Sequence, residues 1–158
     1  MKAFGIFVLC TIGWFTSYSQ NWQVETRGML SYSGFSQSIR GVYEVKGFDW
    51  MVGPKTNYSR SRTPFSSSTG LSVGMVYSLT DSSRIEANAF VNYELLPQTQ
   101  AIIHEAYVGY RLHVNVSKNW IITQEIGFGG YEETSRSTID YSLNGLSYCV
   151  SLGLSYRL

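Results

Sequence analysis

From residue 22 to residue 158 the chain keeps a two-residue rhythm. Every second position is apolar, small or aromatic, and the positions between them carry nearly all the charge. In the first segment Trp22, Val24, Thr26, Gly28, Leu30 and Tyr32 share one side, and Gln23, Glu25, Arg27, Met29 and Ser31 share the other. A strand turns successive side chains to opposite faces, so this is the rhythm of strands with one greasy and one polar side.

Segments of this kind recur at about 22–33, 38–46, 49–60, 70–79, 84–95, 104–116, 119–131 and 145–158, which predicts eight strands. Pro54 interrupts the third, because proline lacks a ladder donor. Without a turn at Gly47 and Phe48 the count falls to seven. The other short connections are 80–83 and Ser117-Lys118, and the longer ones are 61–69, 96–103 and 132–144. The link 34–37 is a short one at the end where long ones belong. A meander with tight turns at one end and longer loops at the other is the plan of a membrane barrel, whose tilted strands need about 9–11 residues to cross.

The length, 158 residues, suits one domain, and a net charge of +1 gives no reason to expect nucleic acid. Lys2, the apolar run 3–15 and the small residues of Ser17-Tyr18-Ser19 read as an export signal. The expectation is therefore a signal peptide over 1–19, cut before Gln20, and one barrel domain over 20–158. The apolar run is shorter than the roughly 20 residues of a spanning helix. Cys10 leaves with the signal, and Cys149, then alone, reads as a small buried filler.

Alternation leaves open which way the greasy face points. In a soluble, exported, ligand-binding calyx it would point inward. Three observations favour lipid. The greasy face carries no Asp, Glu, Lys or Arg, and a basic residue there costs about 2–4 kcal/mol at the bilayer midplane. Trp22, Trp50, Tyr77, Tyr110, Trp120 and Tyr156 fall toward one end of their strands, and Tyr32, Tyr58, Tyr93, Phe128 and Tyr148 toward the other. Amphipathic rings prefer those two levels. The opposite face is small at Ser72, Gly74, Gly127, Gly129, Ser147, Ser151, Gly153 and Ser155, as suits an eight-stranded interior only wide enough for side chains. Glu25, Arg27, Arg40, Glu44, Lys55, Glu86, Glu105, Arg111 and Glu125 then face the lumen. Buried charges need partners, so the expectation is an Arg/Lys–Glu network that plugs the barrel.

The stretch Gly70-Leu71-Ser72-Val73-Gly74-Met75-Val76-Tyr77-Ser78-Leu79-Thr80-Asp81, with the return strand Ile85 to Tyr93-Glu94-Leu95 and the ending Tyr156-Arg157-Leu158, resembles the porin-like outer-membrane β-barrel domain family of Gram-negative bacteria. The resemblance implies an outer-membrane location and insertion by the barrel-assembly machinery. It implies no single activity.

Barrels of this size that act on lipid A or phospholipid use a His-activated Ser. His104 opens the sixth strand, but Glu105 points the opposite way and no Ser follows within two residues. His113 faces inward near Arg111 and reads as a lumen residue. A lipid-modifying enzyme centred on His104 is the alternative function. Two histidines without Cys or carboxylate spacing give no metal site. Gly127-x-Gly129-Gly130 opens no helix and makes no phosphate loop, and no cofactor is expected. Glu132-Glu133 in a loop could touch a divalent ion bridging lipopolysaccharide phosphates, and Arg60-x-Arg62 could touch those phosphates directly. Ordinary solvated loop charge is the commoner case. The reading is an all-β, up-and-down antiparallel transmembrane β-barrel, monomeric and without enzyme activity. It contacts membrane lipid and lipopolysaccharide, and it works structurally or through 61–69 and 132–144 as surface loops.

Overall fold

The computed structural model describes residues 21–58, 68–80, 84–98, 101–136 and 142–158. The expected signal peptide with Cys10, the pair Arg60 and Arg62, and parts of the connections expected at 61–69, 80–83, 96–103 and 132–144 lie outside the described residues. Among those described, no helix is long and apolar enough to cross a membrane.

Eight strands follow in chain order: β1 (Trp22–Ser31), β2 (Gly34–Val45), β3 (Phe48–Asn57), β4 (Ser68–Ser78), β5 (Ile85–Pro97), β6 (Ala101–Asn115), β7 (Trp120–Ser135) and β8 (Ser142–Arg157). Each pairs antiparallel with its neighbours, and β8 pairs with β1 to close the wall. Paired residues lead once round the barrel from Leu30 through Val150, Ile126, Tyr110, Ala89, Tyr77, Phe48 and Val45, and the path returns to the β1 register about ten residues lower. That stagger is what tilted strands require in order to close.

Two turns differ from expectation. The β2–β3 turn is Lys46-Gly47, not Gly47-Phe48. Both residues have positive φ, 50° and 84°, as a two-residue type I′ hairpin demands, and Phe48 already pairs with Val45. At the opposite end Ser31 pairs with Gly34, so Tyr32 and Ser33 make the whole β1–β2 turn and 34–37 belongs to β2. Pro54 is accommodated where the β2–β3 ladder is interrupted, between Ser38↔Lys55 and Gly41↔Val52. The missing proline donor coincides with that gap, so β3 stands as a separate strand.

The strands also overrun the expected loops. β5 continues to Pro97, β6 starts at Ala101, β7 runs to Ser135 and β8 starts at Ser142, which places Glu132 and Glu133 in β7 instead of a loop. At the tops of β5 and β6 the inner face turns apolar, with Leu96, Ala101 and Ile103 buried, and at the tops of β7 and β8 neither face is buried, so alternation fades while pairing continues. The rim at this loop end is uneven. β1 and β8 pair only from Gln23↔Arg157 to Leu30↔Val150, whereas β7 and β8 pair up to Thr134↔Ser142.

The faces sort as expected. Val24, Val52, Val73, Val91, Val108, Ile126 and Leu152 are exposed on the outside, and seven of the nine charges expected inside are buried. Aromatic contacts occupy both ends: Trp22–Tyr43 (4.7 Å), Phe48–Tyr77 (5.0 Å) and Trp120–Tyr156 (4.9 Å) at the turn end, and Phe35–Tyr58 (6.1 Å) at the loop end. Tyr110 departs from its ring, because Leu112 and Val114 lie between it and the end of β6. The lumen is not purely polar. Met29, Val42, Met51, Val76, Phe90, Tyr107 and Cys149 form a buried apolar cluster inside the wall. These residues break the apolar-out pattern singly, and each is therefore inconspicuous in its own strand.

Candidate functional site

Alternation from six strands brings eight charges into the lumen: Glu25 and Arg27 from β1, Arg40 from β2, Lys55 from β3, Glu94 from β5, Glu105 and Arg111 from β6, and Glu125 from β7. All are 2% exposed or less. The signs balance, four acids against four bases, which is the condition for keeping so much charge away from water.

Glu125 is the hub. Its carboxylate accepts from Arg27 (2.9 Å), Arg40 (3.2 Å), Arg111 (2.7 Å) and Ser151 Oγ (2.7 Å). Glu25 pairs with Arg40 and Arg111 and accepts from Ser155 Oγ at 3.0 Å. Arg27 also donates to Glu94 at 2.6 Å, and Ser72 Oγ donates to the same carboxylate oxygen at 3.1 Å. Lys55 Nζ stands 3.5 Å from Glu94 and 3.6 Å from Glu105. Glu105 in turn accepts from the Ser33 amide (3.0 Å) and from Ser31 Oγ (3.2 Å), tying the network to the β1–β2 turn. Ser72, Ser151 and Ser155 leave room for the long side chains and donate to the carboxylates, which explains the small residues on this face.

Of the nine charges expected inside, Glu44 and Glu86 do not join the plug. Glu44 is exposed at the open turn end, and Glu86 lies 3.7 Å from His113 Nδ1. His113 does face inward and accepts from Arg111 Nε. Below the plug a cavity of about 470 Å³ opens at the turn end, lined by Gln23, Glu44, Asp49, Glu86, His113 and Arg157 among others. Glu94 is the member that the sequence reading took only as part of a strand motif. Its place between Tyr93 and Leu95, on the charge-bearing parity, was the available signal.

His104 sits within β6, on the outer face near the loop end. Its Nδ1 hydrogen-bonds the Tyr93 hydroxyl, its backbone partner on β7 is Glu132, and Glu105 faces the lumen. The imidazole thus meets a phenol, not a serine hydroxyl. Among the described residues no group of three or more His, Cys, Asp and Glu is placed to hold a metal ion. Cys149 is buried in the wall interior as a free thiol.

The closed eight-stranded wall is shared by solved structures of outer-membrane β-barrels. The chain is similar to the N-terminal β-barrel domain of Pseudomonas aeruginosa OprF, with a TM-score of 0.61, 9% identity, and 87% of this chain and 97% of that chain covered. It is also similar to Neisserial surface protein A, with a TM-score of 0.55, 13% identity, and 87% and 96% covered. A third such structure is the outer membrane protein AlkL in lipid bilayers, with a TM-score of 0.52, 10% identity, and 89% and 92% covered. At these identities the likeness is one of fold. No protein-family description matches the sequence, and no curated protein is similar to it.

Proposed function

We propose that this protein is an integral outer-membrane barrel of a Gram-negative bacterium, with its short turns in the periplasm and the tall β5–β8 wall at the cell surface. It is a monomer with a filled lumen and a structural or surface-contact role, not an enzyme. Membrane lipid and lipopolysaccharide surround it, and the barrel-assembly machinery inserts it. One contrast carries this reading: the interior holds Glu125 against three arginines, while the outer wall between its aromatic levels holds no charge. A soluble calyx would reverse those faces. The pairing of His104 with Tyr93 argues against the lipid-modifying alternative, whose serine it lacks.

Carbonate extraction and gel migration before and after boiling test the placement. The protein is expected to stay with the membrane and to change mobility on heating. Release by carbonate, or identical mobility, would rule the membrane barrel out. Mass spectrometry of lipid A from cells with and without the protein tests the absence of enzyme activity. An acyl-chain change that His104→Ala abolishes would overturn it.

A further inference from the structure

The cavity at the turn end holds the acids that the plug leaves out. Glu44 on β2 and Asp49 on β3 stand directly opposite in the ladder, and both line the cavity. Like charges in that relation destabilise a sheet. Glu86 lines it from β5, and its neighbours are neutral. Asn115 Nδ2 donates to it at 3.0 Å. His113, its partner across β5 and β6, accepts from Arg111 at Nε2, which leaves the ring proton on Nδ1, 3.7 Å from Glu86. Among the described residues no Lys or Arg forms an ion pair with Glu44, Asp49 or Glu86. The β1–β8 seam brings the opposite chemistry. Gln23 and Arg157 are paired in the register and line the same cavity. Gln23 is only 7% exposed, yet among the described residues its carboxamide has no hydrogen-bond partner. Buried amides are hydrogen-bonded as a rule, so this one points to a ligand in the cavity. The Arg157 guanidinium has no ion-pair partner among the described residues either.

We propose that this cavity binds a small α-amino acid with a basic side chain. The ligand carboxylate takes the Arg157 guanidinium and the Gln23 amide N–H, and its two cationic groups take Glu44, Asp49 and Glu86. Charge sets the choice. Three carboxylates against one guanidinium leave the cavity two negative charges in excess, which a second acidic ligand group would worsen. A single metal ion is not the occupant, because among the described residues no three His, Cys, Asp or Glu converge to hold one. Acceptors that stand apart suit charges carried on separate nitrogens. A carboxylate on the ligand uses the guanidinium that a simple diamine would leave idle. The volume, about 470 Å³, lies in the range of small-ligand pockets, and the plug closes it above. Delivery from the periplasm rests on the proposed orientation, with the turn end inward.

Calorimetric titration of the full barrel in micelles with L-lysine tests the site, and two analogues divide it. Cadaverine is lysine without the carboxylate, and ε-aminocaproate is lysine without the α-ammonium group. L-Lysine is expected to bind saturably, and each analogue about tenfold or more weakly. Arg157→Gln is expected to bring lysine down to the level of cadaverine. Gln23→Met, which keeps the shape and removes the amide, is expected to weaken lysine and leave cadaverine unchanged. Glu44→Gln with Asp49→Asn is expected to weaken both. Heat-dependent gel mobility checks that each variant is a folded barrel. No binding of L-lysine, equal binding of lysine and either analogue, or an unchanged preference for lysine over cadaverine in folded Arg157→Gln and Gln23→Met would overturn the site. Labelling of Lys46→Cys by a membrane-impermeant maleimide on intact cells tests orientation separately. A labelled cysteine in a barrel that binds lysine refutes periplasmic delivery and leaves the site supported.

Discussion

Arg27 on β1 and Glu94 on β5 meet inside the barrel, guanidinium Nη2 to carboxylate Oε1 at 2.6 Å, although the strands that carry them are not neighbours in the wall. Arg27 is also bound to Glu125. Removing it leaves Glu94 with Lys55, at 3.5 Å, as its remaining ion-pair partner beside the Ser72 hydroxyl. Breaking one side of a buried pair costs about 3–5 kcal/mol. Arg27→Met is expected to lower stability by that order in urea unfolding of the folded barrel. The double change Arg27→Met with Glu94→Gln is expected to recover part of the loss, because acids and bases in the lumen are again equal in number.

The outer face should respond to depth. Val91 lies in the middle of β5 on the exposed face, and Val116 lies beyond the end of β6 at the turn end. Val91→Arg is expected to cost about 2–4 kcal/mol and Val116→Arg about 0–1 kcal/mol. Equilibrium folding into lipid vesicles measures both. Equal costs would mean that lipid does not surround the wall.

Two adjacent glycines separate packing from propensity. A Cβ on Gly129 would sit 1.7 Å from the Ala106 carbonyl oxygen, whereas one on Gly130 would meet nothing closer than the Gly145 oxygen at 3.4 Å. Gly129→Ala is expected to lose about 2 kcal/mol or more, and Gly130→Ala to stay within about 0.5 kcal/mol. The urea midpoints at unchanged slope decide between these outcomes.

The plug should block ions. Reconstituted in planar bilayers, the protein is expected to show no steady conductance steps, since Arg27, Arg40, Arg111, Glu25 and Glu125 fill the section. Shortening Arg27, Arg111 and Glu125 together to Ser is expected to open small, resolvable steps. Steps of equal size in both proteins would place the ion path elsewhere.

The wall was readable because lipid and lumen impose opposite demands at every second residue. Glu25, Arg27, Lys55 and Glu125 were assigned to the interior by parity alone, and they are there. Which cation meets which carboxylate was not readable, because it depends on the stagger round the whole barrel and not on any one strand. Met29, Met51 and Phe90 escaped notice because an apolar residue facing a packed lumen looks like noise in the alternation. The tops of β7 and β8 read as loop because water on both faces erases the pattern, although Thr134 and Ser142 still pair. The Tyr93–His104 contact joins residues whose proximity needs the β5–β6 register, in which Leu95 faces His104.

The charge arithmetic inside the wall has a consequence for how the chain closes. Within the first hairpin Arg40 already neutralises Glu25, but Arg27 finds its counter-ions only on β5 and β7, and Lys55 finds its own only on β5 and β6. A half-assembled sheet therefore carries stranded cations that nothing nearby discharges. Electroneutrality of the plug waits until β5, β6 and β7 have come round to face β1 and β3.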